Sequence, residues 1–123
     1  MKEYNFTLLG QIPAKKNNYR FGKNRFYNAK QKELDEFILD LTNQRNNYDA
    51  RDDFPIKTQC ELNLELWQGD RTDLDNQITT ICDLLQNSGI IANDRQIKHI
   101  IAHKVVENNK PIVHITLFDN IKL

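Results

Sequence analysis

Cysteine is nearly absent from this chain: Cys60 and Cys82 are its two thiols, and they form no metal-like spacing. Two cysteines make no disulfide framework, so the expectation is buried thiols in a reducing compartment. Long apolar runs are missing too, and none approaches the roughly 20 residues that cross a bilayer. No apolar stretch of the signal-peptide kind follows Met1-Lys2-Glu3-Tyr4-Asn5, so a cytoplasmic protein with no membrane partner is expected. There is no internal repeat, low-complexity tract or linker. No glycine-rich phosphate loop and no Ser, His and Asp arrangement is legible. Neither sign of charge dominates: 17 Lys and Arg balance 17 Asp and Glu. Net neutrality argues at first against a nucleic-acid partner.

The residues that are present change that reading. A length of 123 residues suffices for one compact domain, residues 1–123, with one core. The charge is unevenly spread. Lys15, Lys16, Arg20, Lys23, Arg25, Lys30 and Lys32 follow one another with no acid until Glu33, whereas acids gather at 49–53 and 70–94. Such a basic stretch supplies a local positive field for phosphates. It also fits an exposed loop whose charges are merely solvated.

Residues 4–9 read as a first strand ended by Gly10. Tyr19-Arg20-Phe21 and Arg25-Phe26-Tyr27 flank Gly22-Lys23-Asn24 as a short hairpin. Aromatics interleaved with Arg and Lys suit stacking on nucleic acid, and they equally suit cross-strand packing. Over 28–47 the period becomes helical, with Leu34, Phe37, Ile38, Leu41 and Arg45 on one stripe. Residues 58–67 alternate as a half-buried strand of antiparallel type, with Cys60, Leu62, Leu64 and Leu66 on one face. A second helix is expected over 74–86, closed by Gly89 as its C′ residue. Residues 97–106 and 112–118 read as two strands of a hairpin. The fold class is therefore α+β: a small, mainly antiparallel or mixed sheet packed against two helices.

The chemistry concentrates in Arg71-Thr72-Asp73-Leu74-Asp75-Asn76 and, after the second helix, Asn93-Asp94. Thr72 and Asp75 read as a helix start with a hydroxyl cap. If the chain enters that helix extended, Asp73 and Asp75 converge where a strand gives way to a helix. Three carboxylates, Asp73, Asp75 and Asp94, would suit a hard divalent cation such as Mg²⁺, which activates water and stabilises a leaving oxygen. The same residues also fit plain helix-start and turn roles. An EF-hand is excluded, because Ile78 and Leu84 stand where its glycine and bidentate glutamate belong. His99 and His103 lack the glutamate of a zincin and lie in a strand-like stretch; His114 stands alone.

Asp73-Leu74-Asp75-Asn76, a helix, then Asp94 with Gln96-Ile97, resembles the RusA-type Holliday junction resolvases of bacteria, phages and prophages. Ile12-Pro13 followed by Lys15, Lys16, Asn17 and Asn18, and the closing strand pair, extend the resemblance over most of the chain. It implies a homodimeric, Mg²⁺-dependent endodeoxyribonuclease of recombination and repair, with Mn²⁺ as a substitute ion, that nicks four-way DNA junctions symmetrically. By position, Asp73, Asp75 and Asp94 match the family's catalytic, metal-binding acids. Lys15, Lys16, Arg20, Lys23, Arg25, Arg71 and Asn76 become the expected DNA contacts. Two positions depart from the family pattern. A lysine common one turn after the second acid is Thr79 here, and an acid before the third is Asn93. Lys98, or a lysine of the basic segment, is the replacement to look for. The alternative is a junction-binding protein of the same fold with weak or absent catalysis.

Overall fold

The structure is a computed structural model that describes residues 1–14, 19–22, 25–28 and 30–122, with 19–22 and 25–28 described as backbone only. In chain order it forms strand β1 (Glu3–Leu9), the hairpin strands β2 (Tyr19–Gly22) and β3 (Arg25–Asn28), and helix α1 (Gln31–Asn46). A 3-10 turn (Arg51–Asp53), strand β4 (Cys60–Gln68) and helix α2 (Leu74–Asn87) come next. A second 3-10 turn (Asp94–Gln96) leads into β5 (Ile97–Val106), and β6 (Ile112–Phe118) closes the chain. β2 and β3 pair with each other. The other four strands form one mixed sheet in the order β1-β6-β4-β5.

Alternation decides which face of this sheet is covered. Tyr4, Phe6 and Leu8 of β1, Val113, Ile115 and Leu117 of β6, and Cys60, Leu62, Leu64 and Leu66 of β4 all point to one side and are buried. The helices lie on that side, α1 contributing Leu34 and Leu41 and α2 contributing Ile81, Leu84 and Leu85 to the same core. Ser88 closes α2 and Gly89 follows at φ 75°, the left-handed C′ conformation expected of it.

Three sequence expectations are corrected. β5 and β6 do not form a hairpin, because β4 runs between them, antiparallel to β6 and parallel to β5. Alternation reports faces, not neighbours, and the segment 107–111 needs to cross only two strand spacings, about 10 Å. β4 is therefore not purely antiparallel in its pairing: α2 is the crossover that returns the chain beside it in the same direction. Thr72, moreover, is not the cap of α2. Asp73 occupies that position with extended backbone (φ −65°, ψ 147°) and makes no side-chain cap hydrogen bond.

β1, β4 and β5 all run the same way, since β1 and β4 are each antiparallel to β6 and β5 parallels β4. Three strands thus end at one edge of the sheet, where α2 begins.

At the opposite edge, where β1 starts, charges are tied down. Lys2 Nζ meets Asp53 at 2.9 Å, and the Tyr4 hydroxyl donates to Asp53 at 2.8 Å and to Asp119 at 3.3 Å. The hydrogen bond from Lys2 is the main cause that holds the Asp53 carboxyl below its ordinary value. A carboxylate whose pKa is depressed by folding adds stability above its unfolded pKa of about 3.9, and that stability is lost as pH falls through the folded value. Asp53→Asn should therefore be less stable than wild type near neutrality and show a shallower loss of melting temperature below about pH 4. Parallel Tm-against-pH curves for the two proteins would contradict this.

Candidate metal and DNA site

The edge where β1, β4 and β5 end is held by a buried amide network. Gln68, the last residue of β4, is fully buried. Its Oε1 accepts from the Ile12 amide at 2.7 Å, while its Nε2 donates to the carbonyls of Gly10 at 3.0 Å and Ile112 at 3.4 Å. Gln77 of α2, also fully buried, donates to Gln68 Oε1 at 3.1 Å and to the Ile12 carbonyl at 3.2 Å. Thr80 adds a bond to the Pro13 carbonyl at 2.7 Å. The chain leaving β1 is thereby pinned against α2 just before the basic segment starts. Buried amides of this kind must be paired, since an orphaned one costs about 1–3 kcal/mol.

Beside this network lies an open groove of about 870 Å³, lined among others by Pro13, Lys30, Arg71, Asp73, Asn76 and Asn108. Asp73 and Asp75 lie at the start of α2, both exposed. Asp73 precedes the helix and Asp75 opens its first turn. Asn76 is 7 % exposed, and its Oδ1 has no hydrogen-bond partner among the described residues. Such an acceptor fits a donor that is not part of the chain, a water or a cation.

Asp94 is fixed by a separate set of bonds. Its amide donates to Gln86 Oε1 at 2.9 Å. The residue before it forms a capping box, with Gln96 Oε1 accepting from the Asn93 amide at 2.7 Å and Asn93 Oδ1 accepting from the Arg95 amide at 2.8 Å. Asp94 thus sits beside the second half of α2. Burial pushes the Cys82 thiol up to about 11, with the Asp94 carboxylate adding to the shift. Asp75, Thr79, Cys82 and Gln86 follow one another at helical spacing, four, three and four residues apart. Cys82 lies about 10 Å further along the axis than Asp75. Asp73 and Asp75 flank the first residue of α2, and Asp94 is tied to the second half of that helix through Gln86. Among the described residues, no three of His, Cys, Asp and Glu converge tightly enough to hold a metal by themselves.

A lysine that no sequence motif singles out completes the edge. Lys104 of β5, opposite Leu66, extends its Nζ to the carbonyl oxygen of Thr72.

Residues 12–118 match the family model Endodeoxyribonuclease RusA. The chain belongs to the RusA endodeoxyribonuclease family. A search of curated proteins returns no match. The matched span runs from the clamped Ile12 to the end of β6 and takes in all three acids. RusA proteins are Holliday junction endonucleases, generally dependent on a divalent metal, and they act on branched DNA. No helix among the described residues is long and apolar enough to cross a membrane.

Of the DNA contacts expected in this RusA chain, Arg71 is exposed at the groove and Asn76 is buried in its wall. Lys15, Lys16 and Lys23 lie outside the described residues, and of Arg20 and Arg25 the backbone hairpin alone is described. Gln68, Gln77 and Lys104 escape sequence reasoning, because no motif marks them. One signal exists for Lys104: period-two alternation puts it in one row with the apolar Ile100 and Ala102, an unusual address for a lysine.

The bonds around Asp94 can be tested directly. Gln96 Nε2 also donates to the Ile56 carbonyl at 2.7 Å and the Thr58 carbonyl at 2.9 Å. Gln96→Leu strands these groups and the Asn93 amide, and should lower unfolding free energy by about 1–3 kcal/mol in urea titrations. A wild-type midpoint would show that the Asp94 turn is held by something else.

Proposed function

We propose that this protein resolves four-way DNA junctions by symmetric nicking, as a Mg²⁺-dependent homodimer of the cytoplasm in a bacterium or a phage-infected cell. The observation that carries the reading is the pair Asp73 and Asp75, exposed and without a hydrogen-bond or ion-pair partner for their carboxylates among the described residues, at the edge where three strands end. Uncommitted carboxylates this close repel one another unless a cation or proton relieves them. Their hard oxygens, together with the unpartnered Asn76 Oδ1, fit Mg²⁺ in donor chemistry. Mg²⁺ commonly takes one or two carboxylates, with substrate phosphate oxygens and water completing its shell. Such a shell does not need all three acids in direct contact, and Asp94 adds a third carboxylate beside the second half of α2. When bound, the ion supplies neutralisation of phosphodiester charge and easier deprotonation of a water. Mn²⁺ meets the same donors.

The residues of the chain then divide the work. Asp73 and Asp75 carry the negative charge that holds the cation. Arg71, Lys15, Lys16, Arg20, Lys23 and Arg25 position the DNA backbone, which orients a junction without reading its sequence. Asp75→Asn should abolish cleavage of a synthetic four-way junction while leaving binding intact or tighter, since a negative charge facing DNA is removed. Full cleavage by that variant would refute the assignment. Salt-sensitive binding of the wild type with no nicking in Mg²⁺ or Mn²⁺ would instead favour the catalytically weak reading that Thr79 suggests.

Support for a dimer comes from the two sheet edges. The free edge of β1 is closed by side chains: the Asn5 amide donates to the Tyr48 hydroxyl, and Gln44 bonds both the amide and the carbonyl of Thr7. β5 has β4 on one side and no strand on the other among the described residues. It exposes Ile100, Ile101, Val105 and Val106, with Trp67 of β4 alongside. An open apolar edge strand recruits another chain, and two-fold pairing would match the symmetry of a junction. Ile101→Glu should convert the dimer to a monomer by light scattering. A dimer that persists unchanged would place the interface elsewhere.

A further inference from the structure

We infer that Lys104 contacts the phosphodiester at the Asp73 end of α2, supplying from β5 the cation that Thr79 does not supply from the helix. The inference rests on the endonuclease reading and adds to it a residue and a role. Lys104 lies opposite the buried Leu66 on an edge strand, two residues before that strand ends. Its stem is half-buried and its ammonium reaches the loop between β4 and α2. There it meets the carbonyl of Thr72, the residue immediately before Asp73. One peptide bond separates that carbonyl from the Asp73 amide, so the ammonium stands within about 5 Å of the Asp73 nitrogen.

The charges around the ammonium give the contact its meaning. An ammonium has three donors, and the Thr72 carbonyl takes one of them. Among the described residues no carboxylate lies within 4.0 Å of it. A half-buried cation facing a lone carbonyl is not neutralised, and a partly desolvated charge seeks an ion of opposite sign. The chain's own nearby acids, Asp73 and Asp75, are the groups expected to bind a cation of their own. An anion from outside remains, and at the groove of a DNA endonuclease that anion is a backbone phosphate. The position agrees with a general feature of parallel β-α-β units, whose ligands lie beyond the carboxyl ends of the strands. Here those ends are Gln68 and Val106.

The competing account is structural: Lys104 merely ties the Thr72 loop to β5. Two substitutions separate the accounts. Lys104→Gln keeps a hydrogen-bond donor and removes the charge, and Lys104→Arg keeps the charge. A phosphate contact predicts that Lys104→Gln cuts single-turnover cleavage of a four-way junction in saturating Mg²⁺ by about 100-fold. It also predicts that the slope of log Kobs against log salt, measured in EDTA, falls by about one. Lys104→Arg should retain the wild-type slope and most of the rate, and melting temperatures of both variants should stay close to wild type. Equal losses in both variants, or a wild-type rate and slope in Lys104→Gln, would overturn the inference. Wild-type protein that binds junctions without cutting them would count against the nuclease reading alone, and the salt slope would still decide the role of Lys104.

Discussion

Everything at the working edge of this protein depends on one buried amide, that of Gln68. A β-sheet fixes its strands laterally but leaves the segments that emerge from it free. Here the end of β4 turns inward as a polar side chain and bonds Gly10, Ile12 and Ile112 at once, with Gln77 joining from α2. Chain segments remote in sequence are thereby locked to one another and to the helix that carries Asp75. The cost of burying two primary amides is offset because almost every polar atom finds a partner. Among the described residues, Gln77 Oε1 is the acceptor of the pair left without a partner.

Burial also explains why the fold is more legible in the sequence than the site. Cys60, Leu62, Leu64 and Leu66 announce a strand, and Leu34, Phe37, Ile38 and Leu41 a helix, because burial on one face imposes a period. Those elements appear within a few residues of their expected bounds. Neighbour order is set by backbone pairing and loop reach, which leave no periodic trace, so the position of β4 between β5 and β6 could not be read. The cap of α2 shifts for a related reason: Thr72 and Asp73 are both good cap residues, and the choice between them is tertiary, with Thr72 engaged through its carbonyl by Lys104.

For the acids, spacing along the chain relates Asp73 to Asp75 and carries no information on Asp94. Asp73 and Asp75 are two residues apart and share a helix end whatever the rest of the chain does. Asp94 depends on where α2 stops, on the tight turn at Gly89 and on the bonds from Gln86 and Gln96. Its placement beside the second half of the helix is the sum of those long-range choices. No residue pattern within the motif encodes them.

Charge separation along the chain, and not net charge, reconciles neutrality with a DNA substrate. The Debye length at physiological salt is about 8 Å, so a phosphate feels its nearest side chains and little of the total. Under the proposed function, carboxylates at the start of α2 would repel an approaching strand, whereas Arg71, Lys104 and the basic segment that follows Ala14 in sequence would attract it. A phosphodiester can therefore lie against the protein in general, but it can sit against Asp73 and Asp75 only when a cation has reversed the local sign. On this reading the acids that hold the ion also act as its gate. Under the proposed function, binding would be governed by the basic residues and the last approach by the metal, and Gln68 pins the chain at Gly10 and Ile12, just ahead of the basic segment in sequence.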